Sequence, residues 1–125
     1  MSKVEKIKKK ALGDWGETYA EKYLEGKGYQ ILDRNIRTPY GEIDIIGKKD
    51  EQLVFVEVKT RTSKKFGYPE EAITEKKVIH LIESAEFYLQ ENTDMNIDWR
   101  IDAIAIQVDP QRSSPKLTHF KNAIT

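Results

Sequence analysis

Three charged residues sit where charge is least welcome. Asp44 lies in Gly41-Glu42-Ile43-Asp44-Ile45-Ile46-Gly47, and Glu57 and Lys59 lie in Leu53-Val54-Phe55-Val56-Glu57-Val58-Lys59. Burying an unpaired charge costs several kcal/mol or forces the group to neutralise. Two carboxylates and a lysine in neighbouring β-branched runs therefore suggest that something positive completes the set. A divalent cation would do so. Oxygen-only ligands select a hard ion, Mg²⁺ first and Mn²⁺ second. The chemistry such a centre favours is phosphodiester hydrolysis, with the ion polarising a phosphoryl oxygen and lowering the pKa of a bound water. A lysine beside it can orient that water or stabilise charge growing on the phosphate.

The elements around these residues decide whether they can meet. Strand side chains alternate between faces, so Phe55, Glu57 and Lys59 share one face of a strand over Gln52–Arg61, with Glu57 and Lys59 about 6.5–7 Å apart. Glu42–Gly47 reads as the preceding strand, with Glu42, Asp44 and Ile46 on one face and Lys48–Glu51 as a polar connection. Folding this hairpin symmetrically about the Asp50–Glu51 bond sets Asp44 opposite Glu57. Directly opposed side chains share a face with Cβ atoms about 5 Å apart, and two like charges there repel unless a cation lies between them. From Ala11 to Lys27 the spacing of Leu12, Trp15, Tyr19, Ala20, Tyr23 and Leu24 is helical. Glu17 falls at the edge of that apolar stripe, where it could supply a third carboxylate. The Val58 carbonyl is a further candidate ligand.

The remaining pattern is a strand over Tyr29–Arg37, a turn at Thr38–Gly41, and a loop at Ser63–Pro69. A helix capped by Thr74 runs to about Glu91, followed by a break at Asn92–Asn96. An apolar, central strand covers Trp99–Val108, and a short strand Lys116–Phe120 ends the pattern. The fold class is α/β: a mixed sheet flanked by helices in the order α-β-β-β-α-β with a short C-terminal strand. At 125 residues with 38% apolar content, the chain suits one domain, taken as 11–125, behind a basic, flexible start at 1–10.

Composition narrows the function. There is no cysteine, which excludes disulfides, zinc–thiolate sites and thiol catalysis. No apolar run approaches the roughly 20 residues of a membrane span, and no apolar signal segment follows the basic start, so the expectation is a cytoplasmic protein with no membrane partner. Net charge is zero, which by itself gives no support for nucleic-acid binding. Charge is unevenly spread, however. Lys3, Lys6, Lys8, Lys9 and Lys10 face only Glu5 in the first ten residues, and Lys59, Arg61, Lys64 and Lys65 cluster after the carboxylates. Arg61, Lys64 and Lys65 are read either as a solvated loop or as contacts to DNA phosphates. Lys77, in the first turn of its helix, is opposed by the helix dipole, so a phosphate or a site carboxylate must explain it. His80 is assigned to the surface, Trp15 and Trp99 to the core, and His119 to packing. The competing reading of Asp44, Glu57 and Lys59 is a surface salt-bridge cluster on a solvated face.

At these residues the chain resembles the PD-(D/E)XK nuclease superfamily, whose signature is an Asp followed on the next strand by Glu-x-Lys. The wider set Gly13-x-x-Gly16-Glu17, Gly28-Tyr29-x-Ile31-Leu32, Arg34-Asn35, Gly41-Glu42-Ile43-Asp44 and Phe55-Val56-Glu57-Val58-Lys59-x-Arg61 is similar to the YraN-type family of predicted Holliday-junction-resolvase-like endonucleases. Phe66-Gly67-x-Pro69, Thr74-x-x-Lys77 and His119-x-x-Asn122-Ala123 also fit, so the likeness covers nearly the whole chain. Ile43 stands where the superfamily name puts proline. The resemblance implies a restriction-endonuclease-like core, Asp44 and Glu57 as Mg²⁺ ligands (Mn²⁺ as substitute) with Glu17 as a third, and Lys59 as the catalytic lysine. It also implies DNA as partner, branched or otherwise structured; beside such a site, Arg61, Lys64, Lys65 and Lys77 are the substrate contacts that their charge and position suggest. Symmetric cutting of two strands would require a homodimer. The alternative function is a nucleic-acid-binding module that keeps the nuclease fold with little or no hydrolysis.

Overall fold

The computed structural model describes residues 2–62, 74–92, 97–109, 111 and 114–123. Lys64 and Lys65 lie outside the described residues, as does the whole loop expected at Ser63–Pro69. The element order is α1 (Lys3–Gly26), β1 (Gln30–Thr38), β2 (Gly41–Lys49), β3 (Gln52–Arg61), α2 (Glu75–Asn92), β4 (Asp98–Gln107) and β5 (Lys116–Phe120). This is the expected mixed α/β arrangement. The five strands form one sheet in sequence order. All neighbours are antiparallel except β3 and β4, which are parallel because α2 crosses between them.

Helix α1 starts at Lys3, eight residues ahead of the apolar periodicity. The Ser2 hydroxyl accepts the Glu5 N–H as an N-cap, and lysine is a good helix former once capped. At the other end, Gly28 takes φ +92°, which turns the chain into β1 without a side-chain clash.

Each face of the sheet carries one helix. Ala20 and Leu24 of α1 pack with Ile45, Val54, Val56, Val58, Ile104 and Ile106. Leu81, Ala85 and Leu89 of α2 pack with Ile43, Ile46, Leu53, Phe55 and Ile101 on the opposite face. Strand β3 lies in the middle of the sheet, and its run Leu53–Val56 is buried on both sides. The central position therefore belongs to β3. Strand β4, expected there for its length and apolarity, is the next strand out. Trp15 is also corrected from core to surface. It is 41% exposed and stacks on Tyr19, because it falls on the side of α1 away from the sheet.

One charge lies in the middle of the sheet. Asp102 on β4 is fully buried. Arg100 Nε donates to its Oδ1 at 2.9 Å, as does the Asn122 N–H at 2.9 Å, while His119 Nε2 lies 2.7 Å from its Oδ2. The other His119 nitrogen is 3.1 Å from the Tyr23 hydroxyl on α1, and Arg100 also donates to Tyr29 and Gln52. This network joins α1, β3, β4 and β5. His119 thus has a charged partner, where the sequence suggested packing alone.

Candidate functional site

The hairpin of β2 and β3 positions the carboxylates. Its register runs from Lys49↔Gln52 to Ile45↔Val56, as the symmetric fold about Asp50–Glu51 requires. One step further along that register stand Asp44 and Glu57. There the ladder gives way to a side-chain contact, and the Val58 N–H donates to Asp44 Oδ2 at 2.8 Å. Strict alternation also breaks at this point. Ile43 and Ile45, two residues apart, pack into opposite core clusters. Hence Asp44 does not simply share a face with Ile46. It sits where the strands part, close to Glu17 of α1 and Glu57 of β3.

From the α1 side come two more carboxylates. Glu17, Glu42 and Asp44 each offer an oxygen, and the three oxygens lie within 4.8 Å of one another. Gly16 makes this approach feasible. A Cβ there would collide with the Thr60 hydroxyl of β3, so a residue without one lets α1 settle close enough to bring Glu17 in. Arg34 of β1 steadies Glu17 at 3.5 Å while also donating to Thr18 at 3.1 Å. Glu42, which the strand pattern set on the face of Asp44 without a ligand role, joins the cluster directly. The signal for it is its place two residues before Asp44, on the same strand face.

Glu57 stands on the α2 side. Lys77 of α2 reaches its Oε1 at 3.2 Å. The Thr74 hydroxyl caps the start of α2 by accepting the Lys77 N–H at 3.2 Å, which fixes where that lysine emerges. A site carboxylate is thus the partner that the position of Lys77 demanded. Lys59 is half-buried beside Lys77. Arg61, at the end of β3, is likewise half-buried.

The electrostatics follow from this crowding. Burial pushes the Asp44 carboxyl up to about 8, and the Glu57, Glu17 and Glu42 carboxylates add to the shift against the Val58 hydrogen bond. Burial likewise raises Glu17, with Arg34 opposing. Lys59 is pushed down to about 8 by burial and by the neighbouring Lys77 and Arg61 cations. Glu17, Glu42 and Glu57 pair with Arg34, Arg37 and Lys77, while Asp44 is held by the Val58 N–H among other carboxylates, and the lysine pair beside Glu57 repels itself. An all-oxygen donor set of this kind fits a hard divalent cation.

Two grooves meet here. One, of about 450 Å³, is lined by Lys10, Glu17, Asn35, Arg37 and Glu42. The other, of about 210 Å³, is lined by Glu42, Glu57, Lys77 and His80, with Tyr40 at its rim. Glu42 borders both, with Glu17 in the first groove and Glu57 in the second.

Comparison with known proteins adds the family. The sequence profile described as "Uncharacterised protein family UPF0102" matches residues 16–106. Among relatives, a UPF0102 protein of Syntrophomonas wolfei is 46% identical over 90% of this chain and 96% of its own length. One from Caldicellulosiruptor saccharolyticus is 43% identical over 94% of this chain and 99% of its own, and one from Clostridium acetobutylicum 40% over 94% and 96%. The matched span takes in Glu17, Glu42, Asp44, Glu57, Lys59 and Lys77 together, and the likeness to the YraN-type proteins is borne out at the level of the family: the chain belongs to the UPF0102 family.

Proposed function

We propose that this protein is a divalent-metal-dependent endonuclease that hydrolyses phosphodiester bonds in DNA, with branched or otherwise structured DNA as its substrate. The observation that carries the proposal is the meeting of Glu17, Glu42 and Asp44 next to Glu57, with Asp44 pushed up to about 8 by burial and by the neighbouring carboxylates. Asp44, Glu57 and Glu17 are the ligands that the family resemblance implies, and Glu42 is added on geometry. A bound Mg²⁺ or Mn²⁺ supplies neutralisation of these carboxylates and polarisation of a phosphoryl oxygen.

The chain's own groups do the rest. Lys59 faces the negative charge that grows on the phosphate during attack, and a cation fixed in a half-buried place stabilises that charge more than one free in water. The depressed pKa of Lys59 also lets it exchange a proton with the attacking water more easily than an ordinary lysine. Lys77 holds Glu57 in place across β3 and α2. Arg61, Lys64 and Lys65 follow Lys59 in sequence and are the expected phosphate contacts. DNA as partner implies a cytoplasmic setting, and paired cuts across a junction imply a homodimer.

One observation favours a second reading. Glu57 is already ion-paired with Lys77, an arrangement that a nucleic-acid-binding module without hydrolysis would also tolerate. Labelled linear and four-way-junction DNA, incubated with Mg²⁺, Mn²⁺ or EDTA, separate the two. Cleavage in either metal that disappears in EDTA and in Glu57→Ala supports hydrolysis. Binding with no cleavage in any metal supports the module.

A further inference from the structure

We propose that the first two turns of α1 form a phosphate-binding arm that grips DNA flanking the cleavage centre, a reading that rests on the phosphodiesterase proposal. Residues 2–11 are all exposed, so no packing against the domain explains their composition. Five lysines stand against Glu5 alone in Lys3–Lys10. Their placement is not uniform. Lys3, Lys6, Lys10, Gly13 and Glu17 follow spacings of three and four residues, which puts them on one stripe of the helix. Three lysines thus point along the side of α1 that carries Glu17 into the acidic cluster. Lys10 lines the same groove as Glu17 and Glu42, together with Arg37 of β1. Lys8 falls on the far side.

Helix stability does not account for these residues. Lys3 and Lys6 sit at the positive end of the helix dipole, and Lys3, Lys6 and Lys10 repel one another at three- and four-residue spacing. Within the stripe, the ion pair from Lys10 to Asp14 at 3.2 Å is largely exposed and contributes little. A polyanion laid along the stripe relieves both costs. From Lys3 to Glu17 the helix rises roughly 21 Å at 1.5 Å per residue. That is the length of about six nucleotides of one strand, so the arm contacts phosphates beyond the scissile bond. The only apolar residues of the arm are Val4 and Ile7, at 61% and 60% exposure. A membrane-surface helix needs a broader apolar face.

The test uses the full chain with labelled duplex and four-way-junction DNA in Ca²⁺, over a salt series. Wild type is compared with the triple variant Lys3→Gln, Lys6→Gln, Lys10→Gln and with Lys8→Gln. Loss of three phosphate contacts lowers the slope of log affinity against log salt by about 2.7, and Lys8→Gln leaves it unchanged. Amide exchange across Lys3–Lys10 slows when DNA is added to wild type. An unchanged slope in the triple variant overturns the arm, and if both proteins still cleave in Mg²⁺ the acidic centre is untouched by that failure. A lowered slope in a protein that never cleaves supports the arm and counts against hydrolysis alone. Slower exchange with phosphatidylserine vesicles but not with DNA overturns the assignment in favour of a membrane surface.

Discussion

The backbone N–H of Val58 donates to the side chain of Asp44 at 2.8 Å, taking the place of a ladder bond between β2 and β3. That single contact anchors a carboxylate at the point where two central strands separate. Glu17, Glu42 and Glu57 crowd that carboxylate. The strain of that gathering shows in Asp44 itself, whose carboxyl is pushed up to about 8, first by burial and then by Glu57.

Lys59 can be separated from the carboxylates by substitution. Lys59→Met removes a cation that burial and Lys77 already disfavour, so thermal stability without metal holds or rises. Cleavage of labelled DNA in Mg²⁺ falls by roughly 10²–10³, the usual cost of removing one transition-state charge partner. Equal losses of stability and rate would mean that Lys59 serves the fold rather than the reaction.

Gly16 tests the route by which Glu17 reaches the cluster. A side chain there drives into Thr60 of β3. Gly16→Val should cost about 1–3 kcal/mol through overpacking, read as a lower denaturation midpoint. It should also weaken Mn²⁺ binding, because α1 must back away with Glu17. Unaltered stability would show that α1 does not lie this close to the sheet.

How much of this is legible in the sequence depends on the residue. The hairpin register is, because a four-residue polar connection between two apolar runs leaves little choice, and Ile45↔Val56 pairs as expected. The partner of Lys77 was narrowed to a phosphate or a carboxylate by the helix dipole alone, and Glu57 proved to be it. Glu42 was harder. Alternation sets it on the face of Asp44, but its place at the start of the strand gives no sign that Glu17 of α1 comes to the same point. Asp102 carries the same signal as Asp44, a lone carboxylate in an apolar run, Ile101–Ile106, but its partners are far off in sequence. Its answer is an internal salt-bridge network rather than a metal, and only the fold brings His119 and Arg100 to it.

That network predicts a pH dependence remote from the acidic cluster. Burial raises the Asp102 carboxyl, but His119, Arg100 and the Asn122 N–H outweigh it and hold the group below its ordinary 3.8. A depressed carboxyl contributes stability above its unfolded value and loses it as pH falls through the lower folded value. Asp102→Asn should therefore cost about 3–5 kcal/mol at neutral pH, the penalty for leaving Arg100 unpaired in a largely buried setting. The gap between wild type and variant should close as pH drops below about 4. Urea denaturation of both proteins from pH 7 to pH 3 measures this, and a constant gap would contradict the network's ionic character.

The central claim is that Glu17, Glu42, Asp44 and Glu57 hold a divalent cation, and calorimetric titration with Mn²⁺ tests it most directly. Wild type is predicted to bind one ion per centre, with binding lost in Asp44→Ala and weakened in Glu17→Ala and Glu42→Ala, while Lys59→Met binds as wild type or more tightly. Binding that survives Asp44→Ala unchanged, or no binding by wild type at millimolar Mn²⁺, would contradict it.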